Sequence, residues 1–373
     1  MLRIALQMLI GDRAKYITLV SGLAFVSLLF IQQGSVFCGL MLRTAKPIET
    51  VGAQIWVADP TLQSIDESKP LLDTDLTRVR SVPGVKWAVP LFMRQTQVRL
   101  KTGKFQTVRL FGLDNASLAG RPGKMLEGDT SALNSPDSVI IGKAESERLN
   151  SPKIGDTFEI NDRLARVVGI ADVPRDFLSN PYVYTTYDRA LQYSPRQRKQ
   201  LNFILVQAQD SLDPKELVET IKKSTGLAAY TKADMQWLTI GYYMKNTGIP
   251  INIGISLTLV FLVGMAIAGQ TFYAFALQNE RYFGALKAMG TSSFTLVKMI
   301  LLQSLTVGII GYSIGSGAGC LIGWVNQTGR LAFFTPYQLL LISFVITIVI
   351  CMVSSLISIK RVLQLEPAVV FRS

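Results

Sequence analysis

The chain contains no histidine. That absence excludes Ser/His/Asp and Cys/His nucleophilic catalysis and every histidine-ligated metal site. Cysteine is almost as scarce. The three present, Cys38, Cys320 and Cys351, all lie in apolar runs. The polar part of the chain therefore cannot be held by disulfides, whichever compartment it faces, and the three thiols read as small packing residues. Cys38 does not fit a lipoprotein acylation site, because Phe37 stands where a small residue is wanted. A phosphate-cradling loop is also missing. Gly103-Lys104, Gly123-Lys124 and Gly142-Lys143 are not followed by Ser or Thr, so none completes G-x-x-x-x-G-K-[ST], and no cofactor site is expected. No charged residue sits deep in an apolar run, which leaves a proton relay or ion path without a carrier.

What the chain does have is four long apolar runs, residues 16–42, 249–277, 294–324 and 337–359. Each exceeds the ~18 residues that mark a helix able to cross the hydrocarbon of a bilayer. Between the first and second runs lies the long polar segment 43–248. The expectation is an integral membrane protein with four transmembrane α-helices, one plus three, and a large α+β extracytoplasmic domain between the first and second. With 49% hydrophobic and 17% charged residues, the chain is too apolar for a soluble protein and too polar to be all membrane. The formal charge of +12 does not indicate nucleic acid. The polar segment holds 28 Lys and Arg against 23 Asp and Glu, a surplus of five, and the remaining excess lies beside the spans. Arg196, Arg198 and Lys199 form the one tight basic cluster and read as a solvated loop. The partners expected from composition are membrane lipids, with no nucleic acid.

Orientation follows from the short loops. Arg3, Arg13 and Lys15 precede the first run, which is too long for a signal-peptide core, so it reads as a retained anchor. Leu2, Ile4, Leu6, Leu9 and Ile10 make residues 1–15 a short amphipathic helix on the inner surface. Arg281, Lys287 and Lys298 lie between the second and third runs, and Lys360, Arg361 and Arg372 follow the fourth. The loop between the third and fourth has only Arg330. Both termini and the 278–293 connection are therefore expected in the cytoplasm of a bacterium, with 43–248 outside its plasma membrane. Trp237, Tyr242, Tyr243, Trp324 and Tyr337 are expected in an outer aromatic belt.

The third run carries Gly311, Gly315, Gly319 and Gly323, one every four residues. That spacing clears one stripe of side chains and predicts close helix–helix packing, within a protomer or across a dimer. Gly311-Tyr312-Ser313-Ile314-Gly315 also spells G-x-S-x-G. A nucleophile elbow needs a strand-to-helix turn and a histidine, so this match is rejected.

The polar segment reads as two lobes. A split α+β lobe draws on 50–112 and 200–232. It has strands at 54–58, 85–101, 105–112, 202–208 and 227–231, and helices at 73–82 and 213–225. Asp213 as N-cap, Pro214 as first helical residue, Glu216 as box partner and Gly226 as stop define the second helix. Residues 138–193 alternate strand and turn and form a β-rich lobe. Asp172 and Asp176, with Arg175 between them, read as a solvated loop rather than an acid/base pair.

The 278–293 connection holds Glu280-Arg281-Tyr282-Phe283-Gly284-Ala285-Leu286-Lys287-Ala288-Met289-Gly290. It reads as one short helix with Phe283, Leu286 and Met289–Gly290 as an apolar contact edge, Gly290 as its end, and Ser292 or Ser293 capping the next span. This stretch resembles the E-x-G-x-L-K-A-x-G signature of FtsX/MacB-type ABC transporter permeases, nearest the DevC-like exporters, although Tyr282 stands where many relatives carry glutamate. The resemblance extends along the chain. Val82-Pro83-Gly84-Val85, Val139-Ile140-Ile141-Gly142, Ile154-Gly155-Asp156-Thr157 and Val167-Val168-Gly169-Ile170 are similar to that family's extracytoplasmic core. Leu365-Glu366-Pro367-Ala368-Val369-Val370-Phe371-Arg372 is similar to its terminal motif.

The resemblance implies a non-enzymatic permease that forms a homodimer and binds a separate LolD/MacB-like ABC ATPase, which holds the ATP. It implies that Phe283, Gly284, Leu286, Lys287, Met289 and Gly290 contact that ATPase and act as a lever. A periplasmic adaptor (a membrane-fusion protein) and an outer-membrane duct are the further partners implied, with export as the function. The same architecture also serves regulators of cell-wall hydrolases and lipoprotein-extracting complexes.

Overall fold

The computed structural model describes residues 7–9, 11, 13–194, 201–326 and 331–364. The basic cluster at 196–199, Arg330, the terminal motif at 365–372 and most of the amphipathic segment at 1–15 lie outside the described residues. The chain forms two compact units, residues 41–247 and residues 1–40 with 248–373.

In the polar unit a ten-stranded sheet is built around one long strand, Val85–Arg99. Its first half, to Leu91, pairs antiparallel with Phe203–Ala208. Its second half, from Phe92, pairs antiparallel with Phe105–Leu113. The change of partner happens where Phe203–Ala208 ends. There the Asn202 side-chain oxygen accepts from the Met93 amide at 3.1 Å, so the departing strand leaves no buried donor orphaned. Phe105–Leu113 then runs parallel to Tyr182–Thr186. That strand, expected in the split lobe, pairs on its two edges with Val85–Arg99 and with Tyr182–Thr186 and so joins the two expected lobes in one sheet. Pairing was not readable from its alternation, which suits either neighbour.

Alternation along the strands sorts the core. Ile55, Val57, Ile204 and Val206 face helices Asp73–Arg80 and Pro214–Thr225, packing on Val79, Leu217 and Ile221. Trp56, Ala58, Phe203 and Leu205 face the opposite way, into a core that continues through Leu91, Met93 and Phe111 to Ile140 and Tyr184. Strands Ile55–Ala58 and Ser138–Gly142 are buried along their whole length, as a strand covered on both faces must be. Asp213 caps the second helix by accepting from the Lys215 amide at 3.0 Å, Pro214 follows it, and Gly226 ends the helix at φ +70°. The helix Tyr187–Tyr193, which presses Ala190 and Tyr193 onto the β-rich half, was not foreseen.

Two expectations fail in this unit. Asp172 is exposed and pairs with Lys124 at 3.0 Å, but Asp176 is 1% exposed and is held by Arg109 at 2.7 Å. The partner that makes burial tolerable lies 67 residues away, so the local sequence could not show it. Tyr243 does not join an aromatic belt. It is buried, with its hydroxyl donating to Asp66 at 2.9 Å.

In the other unit, Tyr16–Thr44, Ile249–Gln278, Ser293–Val325 and Tyr337–Lys360 are long and apolar enough to cross a membrane. Their outward faces carry Ile17, Phe25, Ile255, Leu262, Ile314, Leu321, Leu341, Val345 and Ile357, all exposed. Hydrocarbon, unlike water, imposes no cost on that surface. It also supplies no hydrophobic drive between helices, so close packing must hold them. The glycine stripe provides it within one protomer. A Cβ on Gly311 would lie 2.8 Å from the Leu23 Cβ and 3.2 Å from the Val20 carbonyl oxygen. One on Gly315 would collide with the Ala24 carbonyl oxygen, and one on Gly319 would lie 2.9 Å from Ile31. Gly323 instead receives the Phe333 ring. Hydroxyls tie the fourth long helix to the first and third, with Ser27 and Thr347 at 3.1 Å and the Tyr312 hydroxyl donating to the Leu340 carbonyl at 2.8 Å.

Gly315→Val should therefore lower the stability of the membrane unit by about 1–3 kcal/mol, the usual penalty of overpacking. Thermal unfolding of the purified protein in detergent checks this. Gly317→Ala, where nothing lies within 4 Å of the added Cβ, should leave the midpoint unchanged.

Candidate partner-binding site

The connection between the second and third spans is built on a rigid joint. The second long helix ends at Gln278, and Asn279 turns the chain into the nine-residue helix Glu280–Ala288. Asn279 is buried. Its side-chain NH2 donates to the Phe275 carbonyl at 2.8 Å, and its own carbonyl accepts from the Phe283 amide at 3.0 Å. Carbonyls orphaned by the end of one helix are thus satisfied at the start of the next.

The far end is fixed as firmly. Gly290 sits at φ +87°, its amide bonds the Lys287 carbonyl at 3.1 Å, and the Thr291 amide bonds the Leu286 carbonyl at 3.0 Å. These are the two bonds of a Schellman ending, in which glycine takes the left-handed position without steric cost. Ser292 then caps the third long helix, accepting from the Thr295 amide at 3.4 Å.

The short helix is amphipathic. Phe283, at 1% exposure, and Leu286 are inserted among Ala276, Leu296, Met299, Ile300, Ile359 and Val362, which come from the ends of the second, third and fourth long helices. Gly284 is buried on the same side. Lys287 donates through Nζ to the Leu363 carbonyl at 3.0 Å. A cation on a free carbonyl at a helix C-terminus is favoured electrostatically, and here it ties the short helix to the last one.

Of the residues that the resemblance implies as partner contacts, Phe283, Gly284 and Leu286 pack towards the protein's own helices and Lys287 donates to Leu363. Met289 and Gly290, from the same set, are exposed. With them on the outer side are Arg281, Tyr282 at 64% exposure and, just beyond the turn, Phe294 at 68%. The Lys298 ammonium lies 4.4 Å from the Phe294 ring centroid. Helical spacing alone does not separate these positions, because Leu286 follows Tyr282 by four residues and shares its side of the helix, so which of them is covered depends on the long helices around them. No groups of His, Cys, Asp and Glu suited to a metal ion occur among the described residues. The arrangement offers a cationic, aromatic-rich surface whose inner side is keyed into three long helices.

Two family models match the chain. Residues 18–224 match the MacB-like periplasmic core domain, and residues 254–367 match the FtsX-like permease C-terminal region. An uncharacterized ABC transporter permease of Mycobacterium tuberculosis is 25% identical over 339 residues, covering 89% of this chain and 88% of that protein. Another from Mycobacterium bovis is 23% identical over the same shares of the two chains. Among solved structures, the periplasmic region of MacB from Actinobacillus actinomycetemcomitans aligns with a TM-score of 0.38 and 16% identity. That alignment covers 53% of this chain and 95% of the other.

Gly290→Ala should loosen the helix ending. The added methyl meets nothing within 4 Å, so the penalty is the left-handed backbone alone, roughly 1–2 kcal/mol. Hydrogen exchange of the 286–291 amides should accelerate, with the third long helix unchanged.

Proposed function

Because this chain belongs to the ABC transporter permeases that join a MacB-like periplasmic core domain to an FtsX-like permease region, we propose that Glu280–Ala288 is the point where a separate ATPase drives it. The chain is a multi-pass membrane protein of that family. The observation that carries the proposal is the two-sidedness of the short helix. Its outer face presents Arg281, Tyr282 and Met289, while Phe283 and Leu286 are fixed among the ends of three long helices. A push on the outer face cannot be absorbed locally, because the joint at Asn279, the Schellman ending and the Lys287–Leu363 bond hold both ends of the short helix. It is passed to the second, third and fourth helices as a body.

In this reading the partner is a LolD/MacB-like ATPase that binds and hydrolyses ATP, and this chain carries no nucleotide. The short helix and both termini face the cytoplasm of a bacterial plasma membrane, and residues 41–247 face outward. Closure of the ATPases displaces the short helices of a homodimer, and the motion reaches the external domain through the spans. Export of a substrate, with a periplasmic adaptor and an outer-membrane duct, is the task this motion serves. The basic loop residues Arg281, Lys287 and Lys298 support the orientation. The similarity to a mycobacterial ABC transporter permease over 89% of this chain supports the assignment to a transport complex.

Tyr282→Asp and Met289→Asp change only exposed positions, so both variants should remain folded in the membrane. Co-purification with the ATPase should fall at least tenfold, since each places a carboxylate where the contact would bury it. Full retention of the ATPase in both variants contradicts the assignment.

A further inference from the structure

The polar unit contains a buried ionic cluster that takes no part in the site above. Arg109, on strand Phe105–Leu113, is 3% exposed. Its Nε donates to Asp176 Oδ2 at 2.7 Å and its Nη1 to Asp66 Oδ1 at 2.6 Å. The other oxygen of Asp66 accepts from the Tyr243 hydroxyl at 2.9 Å, and the other oxygen of Asp176 accepts from the Asn180 amide at 3.2 Å. The Arg109 amide also bonds the Pro181 carbonyl at 2.9 Å, so the 175–181 loop is held by side chain and backbone together. The Tyr243 ring packs against Phe177 with centroids 4.7 Å apart. Two further bonds reinforce the junction. The Tyr242 hydroxyl donates to Glu67 at 2.8 Å, and the Ile65 amide donates to the Thr239 hydroxyl at 3.3 Å.

A second ion pair lies beside the first. Arg175 Nε meets Glu145 Oε1 at 2.9 Å, and Arg148 meets the other oxygen at 3.2 Å. The last helix of this unit, Lys232–Asn246, thus meets the cluster through the Tyr243 hydroxyl.

Such a cluster is a poor device for stability alone. Desolvating a guanidinium and two carboxylates is expensive, and an apolar core of the same shape often does as well or better. What it supplies is geometric demand, because a planar guanidinium serving two carboxylates tolerates little displacement of either. Burial pushes the Asp176 carboxyl above its ordinary range against the pull of Arg109. Burial and the Asp66 charge push the Tyr243 hydroxyl up as well, keeping it a donor.

We propose that the Arg109 cluster is a clamp that fixes the end of the last helix of the polar unit, residues 242–247, to the β-rich half. A displacement of that segment then moves strand Phe105–Leu113 and the 175–181 loop with it. The use of this clamp in coupling rests on the function proposed above, whereas the clamp itself is testable without any partner.

The test is hydrogen–deuterium exchange on the full-length protein in lipid nanodiscs. Tyr243→Phe keeps the ring and removes one hydrogen bond to a charged group. Exchange of the 239–247 amides should rise roughly tenfold, with strands Phe203–Ala208 and Tyr182–Thr186 unchanged. Arg109→Lys should raise exchange in both 239–247 and 175–181, because one ammonium cannot serve both carboxylates as the fork does. Asp172→Asn, which removes only the exposed pair with Lys124, should match the wild type. Wild-type exchange at 239–247 in both cluster variants overturns the proposal. So does uniform acceleration across the whole polar unit, or an Asp172→Asn effect as large as that of Tyr243→Phe. Loss of the clamp with ATPase binding intact would leave the proposed function standing, and the reverse result would leave the clamp.

Discussion

A peptide backbone cannot enter hydrocarbon without pairing its own N–H and C=O groups, and the four long apolar segments of this chain do so as helices. That requirement governs the rest of the architecture. Each apolar run must cross completely, so the chain changes sides an odd number of times between its polar domain and the helix Glu280–Ala288. The single crossing Ile249–Gln278 lies between them. In the function proposed above, that crossing puts the two polar regions in opposite compartments, and the relation between them is mechanical.

The two units meet their solvents with different physics. In the membrane unit the cohesive element is close approach. Gly311, Gly315 and Gly319 bring one helix onto the backbone of another near Val20, Ala24 and Ile31, with hydroxyl bonds at Ser27 and Tyr312. In the polar unit the cohesive element is the aqueous hydrophobic effect, acting on sheet faces sorted by strand alternation. The Arg109 cluster is the exception there. It replaces apolar contact with directional bonds at the end of the unit's last helix, Lys232–Asn246, which is where position matters more than cohesion.

Much of this was legible in the sequence, and what was not has a common cause. The spans follow from uninterrupted apolar length. The ends of helix Pro214–Thr225 follow from Asp213 and Gly226, and the end of the short helix from Gly290, because caps are local chemistry. The glycine spacing announced a tight contact but not its partner, since the facing backbone belongs to a segment nearly 300 residues earlier. Asp176 looked solvated because Arg175 stands between it and Asp172, and Tyr243 looked like a belt residue because it precedes a span. Long-range partners decided both. Phe283 and Leu286 were recognised as an apolar face, but which surface that face would meet depends on the ends of three other helices. Local chemistry can be read along the chain, whereas burial of a polar group and the ownership of an apolar face are tertiary facts.

The central claim is that residues 41–247 and 280–288 lie on opposite sides of the membrane, with the short helix inside. Single-cysteine labelling tests it directly. In a version with Cys38, Cys320 and Cys351 replaced, a cysteine is placed at Asp162 or at Tyr282, both exposed, and intact cells are treated with an impermeant maleimide. After the outer membrane alone is opened, position 162 should label at once and position 282 only once the inner membrane is broken. Labelling of both positions from the same side would contradict the account.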